Sequence, residues 1–183
     1  MGHIKVIETP LEGLYIIEPT IYRDSRGYFM ETYNQNNICT ADLNMAFVQD
    51  NLSMSRKGVL RGLHFQKRFP QAKLIYAVQG TVFDVAVDVR IQSKTYGQWF
   101  GIELSEENNK QFYVSEGFAH GFYVLSDAAK ICYKVTDFWH PEDEIGIPWD
   151  DPDLGIKWPL KGEEDPIVAE KDRHYPRFSE LNK

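Results

Sequence analysis

Cysteine is nearly absent: Cys39 and Cys132 are the only two, they lie far apart, and no Cys-x-x-Cys pair occurs. That argues against a disulfide framework and fits a reducing compartment. Long apolar runs are missing as well. Nothing approaches the ~18 apolar residues that a membrane-spanning helix needs, and no signal-peptide apolar core opens the chain. These absences predict a cytoplasmic protein with no membrane partner. Positive charge is scarce, with 20 Lys and Arg against 27 Asp and Glu and a formal charge of −7. A general nucleic-acid partner or a polybasic membrane patch is therefore not expected. A small anion remains compatible, because a few local arginines outweigh a distant acidic surface. Long helical periodicity is lacking too.

What is present is β-pattern. At 183 residues, with 43% hydrophobic and 14% aromatic content, the chain can bury a sizeable core, and one domain over residues 1–183 is the expectation. From Gly80 to Arg90 the chain alternates. Thr81, Phe83, Val85, Val87 and Val89 fall on one face, and Val82, Asp84, Ala86, Asp88 and Arg90 on the other. Further strands are predicted over Thr20 to Tyr22, Gly27 to Tyr33, Phe47 to Met54, Val59 to Gln66 and Lys73 to Val78. Others are predicted over Gln98 to Leu104, Gln111 to Val114, Gly121 to Leu125 and Lys130 to Thr136. About ten short strands separated by turn signals imply an all-β antiparallel sandwich or barrel. Short peripheral helices are expected around Gln35 to Ile38 and in the tail. From Pro141 to Pro159 the chain turns acidic, proline-rich and aperiodic, which reads as a loop-rich wrap.

Two histidines interrupt this β-pattern. Gly58-Val59-Leu60-Arg61-Gly62-Leu63-His64-Phe65-Gln66 sets a guanidinium, a glycine and an imidazole in an apolar strand, and Gly117-Phe118-Ala119-His120-Gly121 has the same character. Such groups are costly to bury without partners. Both stretches resemble the two signatures of the cupin jelly rolls, with members lost: Gln66 stands where a second histidine is usual, and Ser115 where a proline is. A transition metal generally wants three or four convergent ligands. With His64 and His120 alone, no metal is expected; His3, His140 and His174 read as surface or loop residues. On residues alone, His64 is either a hydrogen-bonded core histidine or a base.

A more specific resemblance spans nearly the whole chain. Asp24-Ser25-Arg26-Gly27-Tyr28-Phe29-Met30-Glu31, Phe47-Val48-Gln49-Asp50-Asn51 and Gly58 to Gln66 are similar to blocks of the nucleotide-sugar 3,5-epimerases. Gly117 to Gly121, Tyr133-Lys134-Val135-Thr136-Asp137 and Trp149-Asp150-Asp151-Pro152 continue the match in order. The resemblance implies a cupin-type jelly roll acting on a 4-keto-6-deoxy sugar carried on thymidine diphosphate. Both carbons flanking the ketone would be inverted through enolates, with neither a redox cofactor nor a metal. Relatives that invert one carbon or move the keto group, and a non-catalytic sugar-binding cupin, are the alternatives.

The same resemblance implies roles. His64 would be the base, since an unperturbed imidazole titrates near 6.5 and suits proton abstraction at neutrality. Asp172 would orient it. Tyr133 would be the acid; its strand places it with Ile131 and Val135 on the more apolar face, where an ordinary core tyrosine would also sit. Lys73 would stabilise the enolate, although on residues alone it reads as an exposed strand-edge lysine. Arg61 would grip the diphosphate. Strict alternation puts Arg61 and His64 on opposite faces, so a β-bulge at Gly62 is expected. Gln49, Asn51, His120, Glu144 and Lys171 would line the pocket, and Trp139 could stack on thymine. Arg26, Phe29 and Glu31 would reach the nucleotide from the partner subunit of a homodimer. Tyr76 and Ser115 depart from the family pattern and could alter pocket width or nucleotide contacts.

Overall fold

The computed structural model describes residues 3–39, 46–160 and 165–181. Among them the period-two pattern becomes β1 (Ile4–Glu8), β2 (Leu14–Pro19), β3 (Ile21–Asp24), β4 (Gly27–Met30), β5 (Gln49–Arg56), β6 (Leu60–Gln66) and β7 (Lys73–Gln79). It continues as β8 (Thr81–Asp88), β9 (Trp99–Ser105), β10 (Gln111–Val114), β11 (Phe118–Val124), β12 (Ala128–Val135) and β13 (Glu144–Gly146). Helix among these residues is confined to α1 (Gln35–Cys39) and two 3-10 turns, Glu170–Arg173 and Phe178–Glu180. None is long and apolar enough to cross a membrane.

A six-stranded sheet runs β1-β2-β10-β7-β12-β5, and a five-stranded sheet runs β13-β6-β11-β8-β9; β3 and β4 form a separate two-stranded arm. Neighbouring strands pair antiparallel, as in the register Lys73 opposite Val135 or Ala86 opposite His120. The all-β sandwich expected from alternation is therefore the fold.

Three apolar layers hold it. Leu14, Ile75, Phe112 and Ile131 from the first sheet meet Val82, Ala86, Phe118 and Phe122 from the second, filling the space between them. Burying side chains of this size contributes about 1.5–3 kcal/mol each. Ile38, Tyr33 and Phe47 cover Ile17, Leu74 and Tyr113 on the outer face of the six-stranded sheet. The carboxyl-terminal segment covers the other flank, with Ile147, Leu154, Trp158 and Phe178 packing on Leu63, Val85 and Val87. Both faces of β8 are thus buried, in the alternation its sequence predicts.

Several boundaries differ from expectation. The two opening strands were not foreseen, because the adjacent apolar pairs Val6-Ile7 and Ile16-Ile17 blur the alternation. β4 stops at Met30, short of Tyr33, since the chain turns there into α1, with Asn34 accepting from the Asn37 and Ile38 amides. β11 begins at Phe118, so His120 lies inside a strand and not before one. β13 adds a short strand where only loop was expected.

The bulge at Gly62 is present. His120 pairs with His64 and Phe122 with Arg61, so three steps on β6 oppose two on β11. Gly62 has φ 109°, and a Cβ there would lie 2.5 Å from the Gly121 Cα. Only glycine fits that approach. The extra residue turns Arg61 and His64 toward the same cavity.

Candidate active site

A cavity of about 620 Å³ opens between the two sheets. Its two walls carry different chemistry. β6 and β11, paired at His64 and His120, present imidazoles from the five-stranded sheet. β5, β12 and β7 present Gln49, Asn51, Tyr133 and Lys73 from the other sheet. Asn51 pairs with Tyr133, and Val135 lies between Gln49 and Lys73 in register, so these four share the inward face. Because side chains of one face recur every second residue, the register alone brings them together.

Each histidine is tied to a buried carboxylate. One ring nitrogen of His64, Nε2, lies 2.8 Å from Asp172 Oδ1, across 108 positions of sequence. Asp172 is only 2% exposed. It is delivered by the returning chain, where Ile167 donates to the Gly58 carbonyl and accepts from the Leu60 amide, and the following 3-10 turn swings Asp172 beneath β6. Tyr175 packs edge-on against the imidazole, at 5.7 Å between ring centres. Gly146 makes room for that ring, since a Cβ there would lie 2.2 Å from it. His120 Nε2 pairs with Asp84 Oδ1 at 2.8 Å, while the second Asp84 oxygen has no hydrogen-bond partner among the described residues. Among those residues no three His, Cys, Asp or Glu side chains converge as a metal-ligand set.

The opposite wall is tuned by burial. Desolvation pushes the Lys73 ammonium down to about 8, with the carboxylates of Asp84 and Glu144 acting upward on it. Burial raises Tyr133, the Arg61 guanidinium opposing and Glu144 reinforcing that rise. A phenol held above its ordinary value stays protonated at neutral pH and can donate. Burial acts upward on Glu144, but the Lys171 hydrogen bond, the His64 ring and the Trp139 indole hold it below the usual carboxylate range. Lys171 donates to Glu144 Oε1, and Trp139 Nε1 donates to Oε2 at 3.1 Å. Arg61 is exposed at the rim, anchored by Nε to Ser55 Oγ at 2.9 Å.

All four residues expected to react, His64, Tyr133, Asp172 and Lys73, line this cavity, as do Gln49, Asn51, Arg61, His120, Trp139, Glu144 and Lys171. Arg26, Phe29 and Glu31 do not. Arg26 pairs with Asp24 on the β3–β4 arm, Phe29 is 64% exposed there, and Glu31 accepts from Asn34. Neither Tyr76 nor Ser115 lines the cavity of its own chain. Tyr76 faces the outer side of β7, between the inward Ile75 and Ala77, and Ser115 lies at a turn against Gly13. Asp84 was not singled out from sequence, although an acid in the inward register of an apolar strand was the available signal.

A protein-family model described as dTDP-4-dehydrorhamnose 3,5-epimerase matches residues 8–180. The chain belongs to this family. A family member from Methanothermobacter thermautotrophicus, named dTDP-4-dehydrorhamnose 3,5-epimerase, is 53% identical over 98% of this chain and 97% of its own. Among solved structures, dTDP-6-deoxy-D-glucose-3,5-epimerase from Legionella pneumophila, in complex with dTDP-4-keto-L-rhamnose, superposes with TM-score 0.94. It is 47% identical and covers 98% of this chain and 95% of that one. A 3'-monoepimerase from Streptomyces bikiniensis, in complex with dTDP-quinovose, has TM-score 0.87 at 32% identity over 93% and 86% of the two chains. The family's cupin-type sandwich is the architecture described above.

Proposed function

We propose that the protein is a dTDP-4-dehydrorhamnose 3,5-epimerase, converting dTDP-4-dehydro-6-deoxy-D-glucose to dTDP-4-dehydro-L-rhamnose as one domain in the cytoplasm. One observation carries the reading: His64 and Tyr133 stand on opposite sheets with the cavity between them, and Lys73 shares the wall of Tyr133. Inversion of a carbon next to a ketone needs that arrangement. His64 takes the proton from carbon 3 or 5, its positive charge met by Asp172. The electron pair left behind moves onto the ketone oxygen, where the Lys73 ammonium holds the enolate. Tyr133 then returns a proton to the opposite face, and the ketone re-forms. Both reactive groups recover by proton exchange with solvent, so no net oxidation occurs.

Arg61 suits the diphosphate and Trp139 the base, each at the rim. Gln49, Asn51, His120, Glu144 and Lys171 supply polar contacts to the sugar and its carrier. Incubation with dTDP-4-dehydro-6-deoxy-D-glucose in D₂O is expected to place deuterium at both carbons 3 and 5, read by NMR. Label at one carbon only makes the protein a mono-epimerase like the S. bikiniensis relative. Tight binding without label makes it a sugar-binding sandwich.

The β3–β4 arm supports a homodimer. It belongs to neither large sheet and exposes Tyr22, Tyr28 and Phe29 to the extent of 46%, 52% and 64%. On the outer face of the six-stranded sheet, Leu52 and Met54 of β5 are also 65% and 60% exposed. An arm of this kind reaching a neighbour would bring Arg26, Phe29 and Glu31 to the neighbour's cavity. Arg26→Ala and His64→Asn chains, each nearly inactive alone, should then regain up to about a quarter of wild-type activity when refolded together, because half of the sites in each mixed dimer are complete. Mixing without any recovery removes the exchange.

A further inference from the structure

We propose that Gln66 is a positioning residue for Trp139: its amide fixes the backbone on both sides of the indole and so sets how tightly the planar part of the ligand is held at the cavity mouth. This rests on the nucleotide-sugar reading. Gln66 ends β6, two residues beyond His64, and is 6% exposed. Its side chain spends both amide hydrogens on main-chain carbonyls, Phe69 O at 2.6 Å and Phe138 O at 3.2 Å. Its oxygen accepts from the His140 amide at 2.7 Å. Phe138 and His140 are the neighbours of Trp139 in the chain. A single buried amide therefore pins the residue before the indole and the residue after it.

Trp139 has little packing of its own to do this, being 57% exposed. Its other ties run to groups of the cavity: the backbone amide to Gln49 Oε1 at 3.4 Å and the indole to Glu144 Oε2 at 3.1 Å. The second loop held by Gln66 stiffens the first. Asp143 accepts from the backbone amides of Arg68 and Phe69, and the Phe69 ring stacks on His140 at 4.1 Å. An aromatic platform held this way is ordered before the ligand arrives, which lowers the entropic cost of binding. The position that a second histidine occupies in metal-binding relatives of the fold is thus given over to loop geometry.

Gln66→Met keeps length and removes the three hydrogen bonds without adding charge. It is expected to raise the KM for the sugar nucleotide, and the Kd for thymidine diphosphate by calorimetry, about tenfold, with kcat within about threefold of wild type. Acrylamide quenching of the fluorescence lost in Trp139→Phe should become steeper. In a Trp139→Phe background the same substitution should change Kd by less than about twofold, since residues acting through one another are non-additive. Equal factors in both backgrounds, or unchanged Kd and quenching in a folded Gln66→Met protein, overturn the proposal. Gln66→Glu, which keeps the acceptor for His140 and loses at least one of the two donors, carries the same readouts if the methionine variant does not fold. Failure of the wild type to label its substrate sinks the epimerase reading instead, because quenching and thymidine diphosphate affinity are measured without turnover.

Discussion

His64→Asn is expected to cut turnover by about 10²–10⁴-fold and to remove solvent deuterium exchange at both carbons while leaving thymidine diphosphate affinity nearly unchanged. Asparagine overlays the near part of the ring but stops short of the Nε2 that meets Asp172, and its amide takes up no proton at neutral pH. Loss of exchange separates this variant from one that merely reprotonates poorly, because abstraction comes first. Asp172 makes the variant informative in a second way. It is 2% exposed and lies 2.8 Å from the imidazole, so it loses an ionisable partner in the mutant. A stability decrease of about 1–3 kcal/mol is the expected cost of leaving a buried acceptor poorly met. Proton exchange at the wild-type rate in a folded His64→Asn protein would transfer the base to another group, with His120 the next candidate on the same wall.

Alternation made one wall of the cavity legible and left the other half-hidden. Tyr133 could be placed inward from its own strand, because Ile131 and Val135 share its face and both are 1% exposed. The bulge at Gly62 could be inferred from a conflict between Arg61 and His64, since strict alternation forbids what a shared site requires. Lys73 was different. Its strand reads as an edge with a terminal lysine, and only pairing with β10 on one side and β12 on the other puts it in the middle of a sheet. Sheet order is set by contacts far apart in sequence, so local pattern carries little of it. Asp172 was further out of reach, since its approach to His64 depends on the chain returning past Gly58 after a proline-rich stretch. The resemblance to a known family supplied that pairing. Asp84 carries a signal in the sequence itself: a carboxylate at the inward register of a strand whose neighbours Val82 and Ala86 are fully buried must have a cationic or hydrogen-bonding partner. That partner is His120. Gln66 is the opposite case: local sequence marks it only by the histidine it replaces, whereas its bonding partners Phe138 and His140 lie more than seventy positions away.

Lys73→Met should lose activity without losing stability, an outcome that separates it from ordinary core damage. The ammonium faces the ketone oxygen in the proposed reaction, and removing a donor at a developing oxyanion costs about 10²–10³-fold in kcat. Stability moves the other way. Burial depresses Lys73 from 10.5 to about 8, so below about 8 the folded protein carries a charge that water would solvate better. That net depression, with the pull of Asp84 and Glu144 already included, corresponds to roughly 3 kcal/mol at neutral pH. Between about 8 and 10.5 the unfolded chain binds more protons than the folded one, so wild-type stability should rise with pH across that window. The methionine variant should show no such rise and a Tm at pH 7 at or above wild type. Wild-type kcat/KM should fall as pH climbs through about 8, as the lysine loses its proton in the free folded protein. Methionine at this position with kcat within about threefold of wild type, or with a Tm well below it, would remove Lys73 as the enolate's counter-charge and assign it to the framework of the sheet.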